Sequence, residues 1–252
     1  MTDRRPIDFT HLGQQSEAVV IGVSGGIGGA LTEALTSAPG IGRVHALSRS
    51  GRVAIAGVAR AGPIDIEDER SIAAAAASVG AEPGPQLVIV ATGMLHAPGH
   101  APEKTWRDLS TAGFERSFAL NATGPALVAK HFLPLIPRRA PAVFAVLSAR
   151  VGSISDNQAG GWYSYRASKA ALNQILKCLA IEEGRRRPGL VIAGLQPGTV
   201  ESALSAPFRG MVREEDRLSP AQSAAGLLAT LSALTPAQSG QLFDWKGEAF
   251  AP

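Results

Sequence analysis

Residues 18–28 read AVVIGVSGGIG, a run of β-favouring residues that leads directly into a glycine-rich turn. The run Ala18–Val23 predicts a buried strand, and Ile27–Ser37 predicts the helix that follows it. Glycines let the backbone of such a turn approach an anion closely, and the amino end of a helix adds partial positive charge. The stretch therefore predicts a strand–turn–helix unit that can hold the pyrophosphate of a dinucleotide.

Short apolar runs alternate with helical patterns along the rest of the chain. Continuous apolar strands separated by helices imply a parallel sheet that is covered on both faces. We therefore predict one α/β domain over residues 1–252, a doubly wound, three-layer Rossmann fold. The further predicted strands are Arg43–Ser48, Pro63–Ile66, Gln86–Ala91, Ala142–Ser148, Leu190–Leu195 and a final edge strand, Gln241–Asp244. The further predicted helices are Asp68–Val79, Thr111–Leu135, Tyr163–Gly184 and one that starts at Ser219.

The composition suits a globular protein with few charges, and it gives no sign of a nucleic-acid partner. Of the 252 residues 45% are hydrophobic and 18% are charged, and the net charge is +3. The densest positive segment, Arg185–Arg187, follows a predicted helix, where cations suit the helix dipole. No aromatic or basic stripe accompanies it, so we expect a solvated helix end and no nucleic-acid partner.

The single cysteine and the amino-terminal segment bear on the compartment. Cys178 excludes an internal disulfide, and its apolar helical surroundings predict a buried core position. Met1–Gln15 is polar and contains no apolar segment of the kind that signal peptides need. No run is long and apolar enough to span a bilayer. We therefore expect a cytoplasmic protein without a membrane partner.

Three predicted loops follow the carboxyl ends of strands, namely Thr92–Lys104, Ala149–Trp162 and Gln196–Leu218. Ligands of open α/β sheets bind at those ends. The third loop is long and is interrupted by proline and glycine residues, so we expect it to be a substrate lid. His96 and His100 in the first loop have no third ligand in the sequence, so we expect no metal site.

The glycine turn also fits a different chemistry. Gly22 to Gly26 matches G-x-S-x-G, the nucleophile elbow of α/β hydrolases, which would make Ser24 a nucleophile. Such an elbow normally follows several strands, whereas only one predicted strand precedes Ser24. The dinucleotide hypothesis therefore leads, with the hydrolase as a rival.

The end of the second predicted strand bears on which dinucleotide would bind. An acidic residue at this position would bind the ribose diol of NAD, but the chain has Leu47-Ser48-Arg49 there. A guanidinium can pair with the 2′-phosphate of NADP. Arg49 therefore favours NADP over NAD, although an ordinary surface arginine would look the same.

A tyrosine and a lysine lie four residues apart in the stretch 163–173, YSYRASKAALN. Tyr165 and Lys169 share one face of the predicted helix. A free tyrosine has a pKa of about 10, and a neighbouring ammonium lowers that pKa by stabilising the phenolate. The pair therefore predicts a general acid/base for carbonyl reduction.

Taken in order, these motifs resemble the short-chain dehydrogenase/reductase family over about Ala18 to Trp245. The glycine-turn motif of the family is matched by Ile21 to Gly28, and its N-A-G motif by Ala91-Thr92-Gly93. The helix asparagine of the family is matched by Asn121, its Y-x-x-x-K motif by Tyr165 and Lys169, and its P-G turn by Pro197-Gly198. Ile21 replaces a threonine of the family pattern, and Ala91-Thr92 replaces Asn-Ala. Residues 148–173 look most similar to the C-factor and sniffer-like carbonyl reductases.

The resemblance implies a role for each matched residue. Tyr165 would give a proton to the carbonyl oxygen, Lys169 would lower the pKa of Tyr165 and bind the ribose, and Asn121 would hold a water that links Lys169 to solvent. The implied cofactor-binding residues are Gly22, Ser24, Gly26, Ile27 and Gly28 at the pyrophosphate, Asp65 and Ile66 at the adenine, Gly93 at the ribose, and Pro197, Gly198 and Thr199 at the nicotinamide. It also implies a homodimer or homotetramer assembled through the two longest helices.

The catalytic serine of the family has no direct match. The pattern S-S-x-x-G falls on Ser148 to Gly152, so the serine that polarises the carbonyl aligns with Ala149. Ser148 lies one residue before that position and Ser153 lies a few residues after it, and we favour Ser148 as the catalytic serine.

The leading hypothesis for the function is an NADP-dependent enzyme that reduces a carbonyl compound or oxidises an alcohol. The degraded motifs keep a second hypothesis open, a nucleotide-binding regulatory protein with little catalysis.

Overall fold

The computed structural model describes residues 6–80, 82–202 and 213–252. Eight strands form one sheet in the order β10-β9-β6-β5-β4-β1-β2-β3, in which β10 alone runs antiparallel to its neighbour. The strands of this sheet are β1 Ser16–Ile21, β2 Ile41–Ser48, β3 Arg60–Pro63, β4 Leu87–Val90, β5 Ala142–Leu147, β6 Leu190–Gln196, β9 Gln241–Asp244 and β10 Ala249–Phe250. Thr199–Val200 (β7) and Arg217–Leu218 (β8) form a separate parallel pair.

Within the described ranges, six α-helices cover the two faces of the sheet. They are α1 Gly26–Leu35, α2 Glu69–Val79, α3 Thr111–Phe118, α4 Gly124–Phe132, α5 Tyr163–Gly184 and α6 Pro220–Ala233. On one face of the sheet, α1 and α6 pack in a hydrophobic core that includes Val20 of β1. In the other core, α2, α4 and α5 pack with Val19 and Ile21 of the same strand. Successive strand residues therefore feed opposite layers, as the alternation of a strand requires. This confirms the predicted doubly wound α/β fold.

The third strand lies earlier than the sequence predicts. Residues Arg60–Pro63 form β3 and pair with His45–Ser48 of β2, whereas Pro63–Ile66 was the expected strand. Proline has no backbone N–H to donate, and here it ends the outermost strand. Ile64 and Ile66 are buried under α2 and α4 beyond the strand end, and their burial explains the strand-like pattern.

The carboxyl-terminal edge of the sheet also differs from expectation. Gln241–Asp244 forms β9, but β10 pairs with it, so β9 is not the edge strand. The backbone N–H groups of Lys246 and Glu248 both donate to one carboxylate oxygen of Asp244. These bonds stabilise the turn that leads from β9 back to β10. Strand β10 has only two residues, which is too short for an alternating apolar pattern to predict it.

The predicted burial of Cys178 and the predicted solvation of Arg187 are both wrong. Cys178 is exposed, because it lies on the opposite side of α5 from the buried series that includes Leu172 and Leu176. Arg187 is buried rather than solvated. Its guanidinium pairs with Glu183 at 3.0 Å and donates to the carbonyls of Leu133 and Ile136, so it ties the end of α5 to the end of the preceding helix.

The expected long helix over 111–135 is a continuous helical run with one irregular turn. Residues Ala119–Thr123 form a π-helical turn between α3 and α4, and a 3₁₀ turn, Leu133–Leu135, closes the run. Short π segments inside helices occur frequently at functional sites. The π turn contains Asn121, whose side chain is fully buried. The predicted lid over 196–218 includes residues 203–212, which lie outside the described residues.

Candidate functional site

Two cavities lie at the carboxyl ends of the parallel strands, where the sequence predicted a ligand site. The first, of about 520 Å³, is called here the glycine cleft and is lined by residues that include Gly22, Ser24, Arg49, Asp65, Ile66 and Gly93. The second, of about 590 Å³, is called the tyrosine pocket and is lined by residues that include Ile27, Ser148, Trp162, Tyr165, Pro197 and Gly198. The loop after β4 borders both, with Met94 in the cleft and Leu95 in the pocket.

The glycine turn forms the floor of the cleft. Gly22 has φ 96°, and a Cβ on it would lie 2.9 Å from the Thr92 side chain. A Cβ on Gly28 would lie 2.3 Å from the carbonyl oxygen of Gly22, so only glycine lets α1 begin this close to the turn. Helix α1 starts at Gly26 with Gly25 as its N-cap. The cleft thus offers a backbone cradle and a helix amino end to an anion.

The far end of the cleft carries a charged side chain suited to a phosphate. Arg49 follows β2 and is exposed, and it forms no ion pair with any residue that the structure describes. Asp65 and Ile66 lie on the neighbouring wall, where Asp65 accepts a hydrogen bond from the backbone N–H of Glu67 at 3.0 Å. The cradle, the helix end and this guanidinium fit a dinucleotide that bears an extra phosphate on its adenosine ribose.

The predicted cofactor residues divide between the two cavities. Gly22, Ser24, Arg49, Asp65, Ile66 and Gly93 line the cleft, whereas Ile27, Tyr165, Pro197, Gly198 and Thr199 line the pocket. Gly26 and Gly28 are not among the residues lining either cavity in the described part of the chain; Gly26 faces Pro220, and Gly28 faces Gly22. Their lack of a side chain allows close packing, so they shape the turn from behind.

Asn121 and Lys169 are buried behind Gly93 of the cleft, and neither is among the residues that line the two cavities in the described part of the chain. The Asn121 amide bonds the backbone of Met94 in both directions, each at 2.9 Å, and its Nδ2 also donates to Ser168 Oγ at 3.2 Å. Lys169 Nζ donates to the carbonyl of Leu147 at 2.8 Å. A Cβ on Gly93 would lie 3.6 Å from both Asn121 Oδ1 and Lys169 Nζ. The structure therefore brings three separated motifs together, with the Asn121 amide holding the loop after β4.

Burial controls the proton affinities of the tyrosine and the lysine. It raises the pKa of Tyr165 to about 12 and lowers the pKa of Lys169 to about 7. In both cases removal from water disfavours the charged form. The predicted lowering of the Tyr165 pKa is therefore wrong for this structure, because removal of the phenol from water favours its neutral form. At neutral pH Tyr165 is protonated and Lys169 is partly charged.

Of the two candidate serines, Ser148 lines the tyrosine pocket, and its hydroxyl is engaged by another side chain. Ser148 lines the pocket, and its Oγ donates to Asn173 Oδ1 at 2.6 Å. Ser153 is buried within its own turn, where it accepts from the backbone N–H of Asp156 at 3.3 Å. Ala149 lines the pocket at the place that the family pattern gives to serine. The carbonyl-facing hydroxyl of the pattern is therefore missing from that position.

The turn after β6 closes the pocket. Gly198 has φ 79°, and a Cβ on it would lie 2.7 Å from Leu218 and 3.0 Å from the Trp245 ring. The carbonyl of Pro197 accepts a hydrogen bond from Ser223 Oγ on α6 at 2.6 Å. Thr199 pairs with Arg217 through β7 and β8. These contacts fix the Pro197–Thr199 turn against α6, in the position where the resemblance expects the nicotinamide.

One residue of the site was missed by the sequence reasoning. Glu103 is 5% exposed, and its Oε2 accepts from the backbone N–H of Ser164 at 3.2 Å. Its main-chain carbonyl accepts from the N–H of Trp162 at 2.6 Å. A buried carboxylate thus caps the amino end of α5 from a loop about sixty residues away in the chain. A single acid between Pro102 and Lys104 carries no local signal of this role.

Comparisons with known proteins show the family of the chain. A family model described as short chain dehydrogenase matches residues 16–212. A dehydrogenase of 1-hydroxy-2-glutathionyl-2-methyl-3-butene from Rhodococcus sp. (strain AD45) is 32% identical over 193 residues, which cover 75% of this chain and 78% of that protein. The C-signal protein of Myxococcus xanthus is 35% identical over 141 residues, covering 56% and 79%.

Solved structures give the same result. The chain superposes on an NADPH-bound carbonyl reductase from chicken fatty liver with a TM-score of 0.74 and 27% identity, covering 95% of this chain and 99% of that one. A short-chain dehydrogenase/reductase from Burkholderia multivorans with bound NADP gives 0.77 and 25%, covering 94% and 100%. No helix in the described part of the chain has the length and apolar character needed to cross a bilayer.

Proposed function

The chain belongs to the short-chain dehydrogenase family and is an NAD(P)-dependent oxidoreductase, and we propose that it interconverts a carbonyl compound and an alcohol with NADP as cofactor and Tyr165 as general acid/base. The observation that carries the proposal is that Asn121 and Lys169 lie beside Gly93 in the wall of the glycine cleft, while Tyr165, one turn before Lys169 on α5, lines the tyrosine pocket. Oxidoreductase chemistry in this family needs a dinucleotide next to a proton donor, and these residues supply the proton donor.

The proposed cofactor site uses the cleft. The turn from Gly22 to Gly28 would hold the pyrophosphate, Arg49 the 2′-phosphate, Asp65 and Ile66 the adenine, and Gly93 with Lys169 the ribose of the nicotinamide. Pro197, Gly198 and Thr199 would contact the nicotinamide. The bound dinucleotide would supply a hydride to the carbonyl carbon in the direction of reduction.

Proton transfer would come from the chain itself. The raised pKa of Tyr165 keeps its Oη protonated at neutral pH, which is the form that reduction needs. Oη would give that proton to the carbonyl oxygen as the carbon accepts the hydride, so that the product is the neutral alcohol. The phenolate left on Tyr165 would be stabilised by the Lys169 ammonium, whose lowered pKa of about 7 also lets it return a proton.

Ser148 would assist less than the family's serine does. Its proton is directed at Asn173 Oδ1, so it donates to a substrate only after that bond is broken. Loss of one hydrogen-bond donor to a developing oxyanion typically costs 10²–10³ in turnover, about 3–4 kcal/mol. We therefore propose a slow reductase in which Tyr165 carries the main polarising contact.

The decisive experiment compares Tyr165→Phe with Tyr163→Phe across a panel of aldehydes, ketones and quinones. Tyr163 lies two residues away on the same helix and is exposed, so it provides a matched control. We expect Tyr165→Phe to lose NADPH oxidation by at least 100-fold while it still binds NADPH, and Tyr163→Phe to keep its activity. Normal carbonyl reduction by Tyr165→Phe would refute the mechanism.

The cofactor preference is tested at Arg49. Arg49→Gln should raise the KM for NADPH by about tenfold or more and leave the KM for NADH unchanged, because the charged pair with a 2′-phosphate is lost. Arg52→Gln, three residues further along, removes an exposed arginine outside the cleft lining and serves as the control. Equal effects on both cofactors would contradict the assignment of Arg49.

A regulatory, nucleotide-binding role is the second candidate. Ala149 at the serine position and Ala91-Thr92 in the loop after β4 favour it, as does the similarity to a protein named C-signal. The same panel of aldehydes, ketones and quinones distinguishes the regulatory role from the enzymatic one. NADPH binding without turnover on any substrate would support the regulatory role, whereas turnover that depends on Tyr165 supports the enzyme.

We also propose assembly as a homodimer or homotetramer through the helical run 111–135 and helix α5. Ile181 on α5 is 51% exposed, which leaves an apolar side chain on the outer face of that helix. Light scattering coupled to gel filtration measures the mass directly. A monomer at micromolar concentration would rule the assembly out.

A further inference from the structure

Three consecutive residues before helix α5 adopt left-handed backbone conformations. The φ angles are 62° for Gly160, 64° for Gly161 and 52° for Trp162. Glycine takes this conformation without steric cost, but a tryptophan does so only under strain. Strained residues of this kind persist where the surrounding structure holds them, and they cluster at functional sites. The position of the Trp162 ring is therefore imposed by its neighbours.

The neighbours that hold this turn are well defined. The backbone N–H of Trp162 donates to the carbonyl of Glu103 at 2.6 Å. Arg166 donates from Nε to the carbonyl of Gly161 at 3.0 Å and from Nη1 to the carbonyl of Val151 at 3.2 Å. The turn is thus tied to the loop after β4 and to the turn after β5, which are two other walls of the tyrosine pocket.

The Trp162 ring packs against the ring of Tyr165. Its centroid lies 6.4 Å from that of the Tyr165 ring, and the two planes meet at 70°. The two rings form a corner inside the tyrosine pocket, and the other walls include Ile27, Leu95, Val151 and Val200. A flat apolar group can lie against one ring of such a corner while an attached carbonyl reaches the hydroxyl of the other.

We propose that Trp162 is a specificity-determining residue that selects carbonyl compounds with an aromatic ring attached to the carbonyl. The inference rests on the proposed function and adds a substrate class to it. The ring of the substrate packs on Trp162, and its carbonyl oxygen is delivered to Tyr165 Oη. A saturated ring of the same size fills the same space but lacks the aromatic contact.

The test compares two ketones in two variants. Acetophenone and cyclohexyl methyl ketone differ in the aromaticity of the ring, and Trp162→Leu removes the aromatic wall while it keeps an apolar side chain. The ratio of kcat/KM for the aryl ketone to that for the cyclohexyl ketone is compared between wild type and variant, so the intrinsic reactivity of each ketone cancels. We expect the ratio to fall roughly 2- to 13-fold in Trp162→Leu, the value that an aromatic pair of 0.5–1.5 kcal/mol gives.

Two further variants separate the specificity role from a structural one. Trp162→Phe keeps an aromatic wall and should retain the ratio to within about twofold. Trp106→Leu removes a tryptophan that is 62% exposed and outside the pocket lining, and it should leave the ratio unchanged. An unchanged ratio in Trp162→Leu, with both ketones still reduced, overturns the inference while the proposed reductase function stands.

Failure of the proposed function gives a different result. If wild type reduces neither ketone with NADPH, the reductase proposal fails, and binding of 1-phenylethanol and 1-cyclohexylethanol to the NADPH complex is measured by calorimetry. Tighter binding of the phenyl alcohol that disappears in Trp162→Leu then still supports the aromatic wall. Equal binding of the two alcohols to wild type overturns it.

Discussion

Lys169 is expected to destabilise the fold that it serves, and Lys169→Met tests this directly. Burial lowers the pKa of Lys169 from 10.5 to about 7. At 1.36 kcal/mol per pKa unit, that difference corresponds to roughly 5 kcal/mol of unfavourable charge burial when the unfolded chain is protonated. Methionine fills a similar volume without a charge, but it leaves the Leu147 carbonyl without its donor, which costs about 1–3 kcal/mol. We expect a net gain of about 2 kcal/mol in the free energy of unfolding at pH 7.

The pH dependence of the free energy of unfolding shows whether the buried lysine destabilises the fold. Between pH 7 and pH 10 the unfolded chain binds a proton at residue 169 that the folded protein has lost, so the stability of wild type rises with pH over this range. Lys169→Met has no such proton. The advantage of the variant should therefore shrink by about 2 kcal/mol between pH 7 and pH 9, while all other groups titrate equally in both proteins.

Urea unfolding followed by circular dichroism at pH 7 and pH 9 measures both quantities. Lys177→Met is the control, because Lys177 is an exposed lysine on the same helix, and it should change stability by less than about 0.5 kcal/mol. A less stable Lys169→Met, or an advantage that does not depend on pH, would show that the lysine is not held at an energetic cost and would refute the reasoning.

Three further changes have defined outcomes. Ala149→Ser should raise kcat for carbonyl reduction by about tenfold or more, because it restores a hydroxyl at a position that lines the tyrosine pocket; steady-state kinetics with NADPH would contradict this if kcat were unchanged. Arg187→Met should lower the free energy of unfolding by roughly 3 kcal/mol, since it removes the closer cation from buried Glu183 and the donor from two carbonyls; a change below 1 kcal/mol in urea unfolding would contradict this prediction. Gly198→Ala should destabilise by at least about 1 kcal/mol and reduce NADPH affinity, because its φ of 79° and its contact with Trp245 exclude a Cβ; thermal unfolding and fluorescence titration measure the two effects.

Elements with strong local signals were predictable from the sequence. Helix α5 spans Tyr163–Gly184 as expected, and α6 begins at the expected cap, where Ser219 Oγ accepts from the Gln222 N–H and the Gln222 side chain accepts from the Ser219 N–H. The glycine turn is equally local, since the strand, turn and helix that identify it are adjacent in the chain. These features depend on a few neighbouring residues, so the sequence is sufficient to predict them.

Features that depend on distant partners were not predictable in the same way. The start of β3 is set by its pairing with β2, and the burial of Arg187 is set by carbonyls about fifty residues away. The pKa of Tyr165 was predicted to fall, yet it rises, because its sign depends on how much water the folded chain removes from the phenol. The engagement of Ser148 with Asn173 likewise requires two elements to meet.

The proposed site and the stability of this protein are linked through helix α5. The same helix buries Leu172 and Leu176 against the sheet and carries Tyr165 and Lys169 one or two turns earlier. Its amino end is fixed by Glu103 and by the strained Trp162, while its carboxyl end is fixed by Arg187. Because α5 is held at both ends and along one face, it can keep a phenol and an amine in a buried site that opposes ionisation of both. A helix free to shift would let these groups reach water and return to their ordinary pKa values, so the anchoring of α5 is a condition of the proposed chemistry.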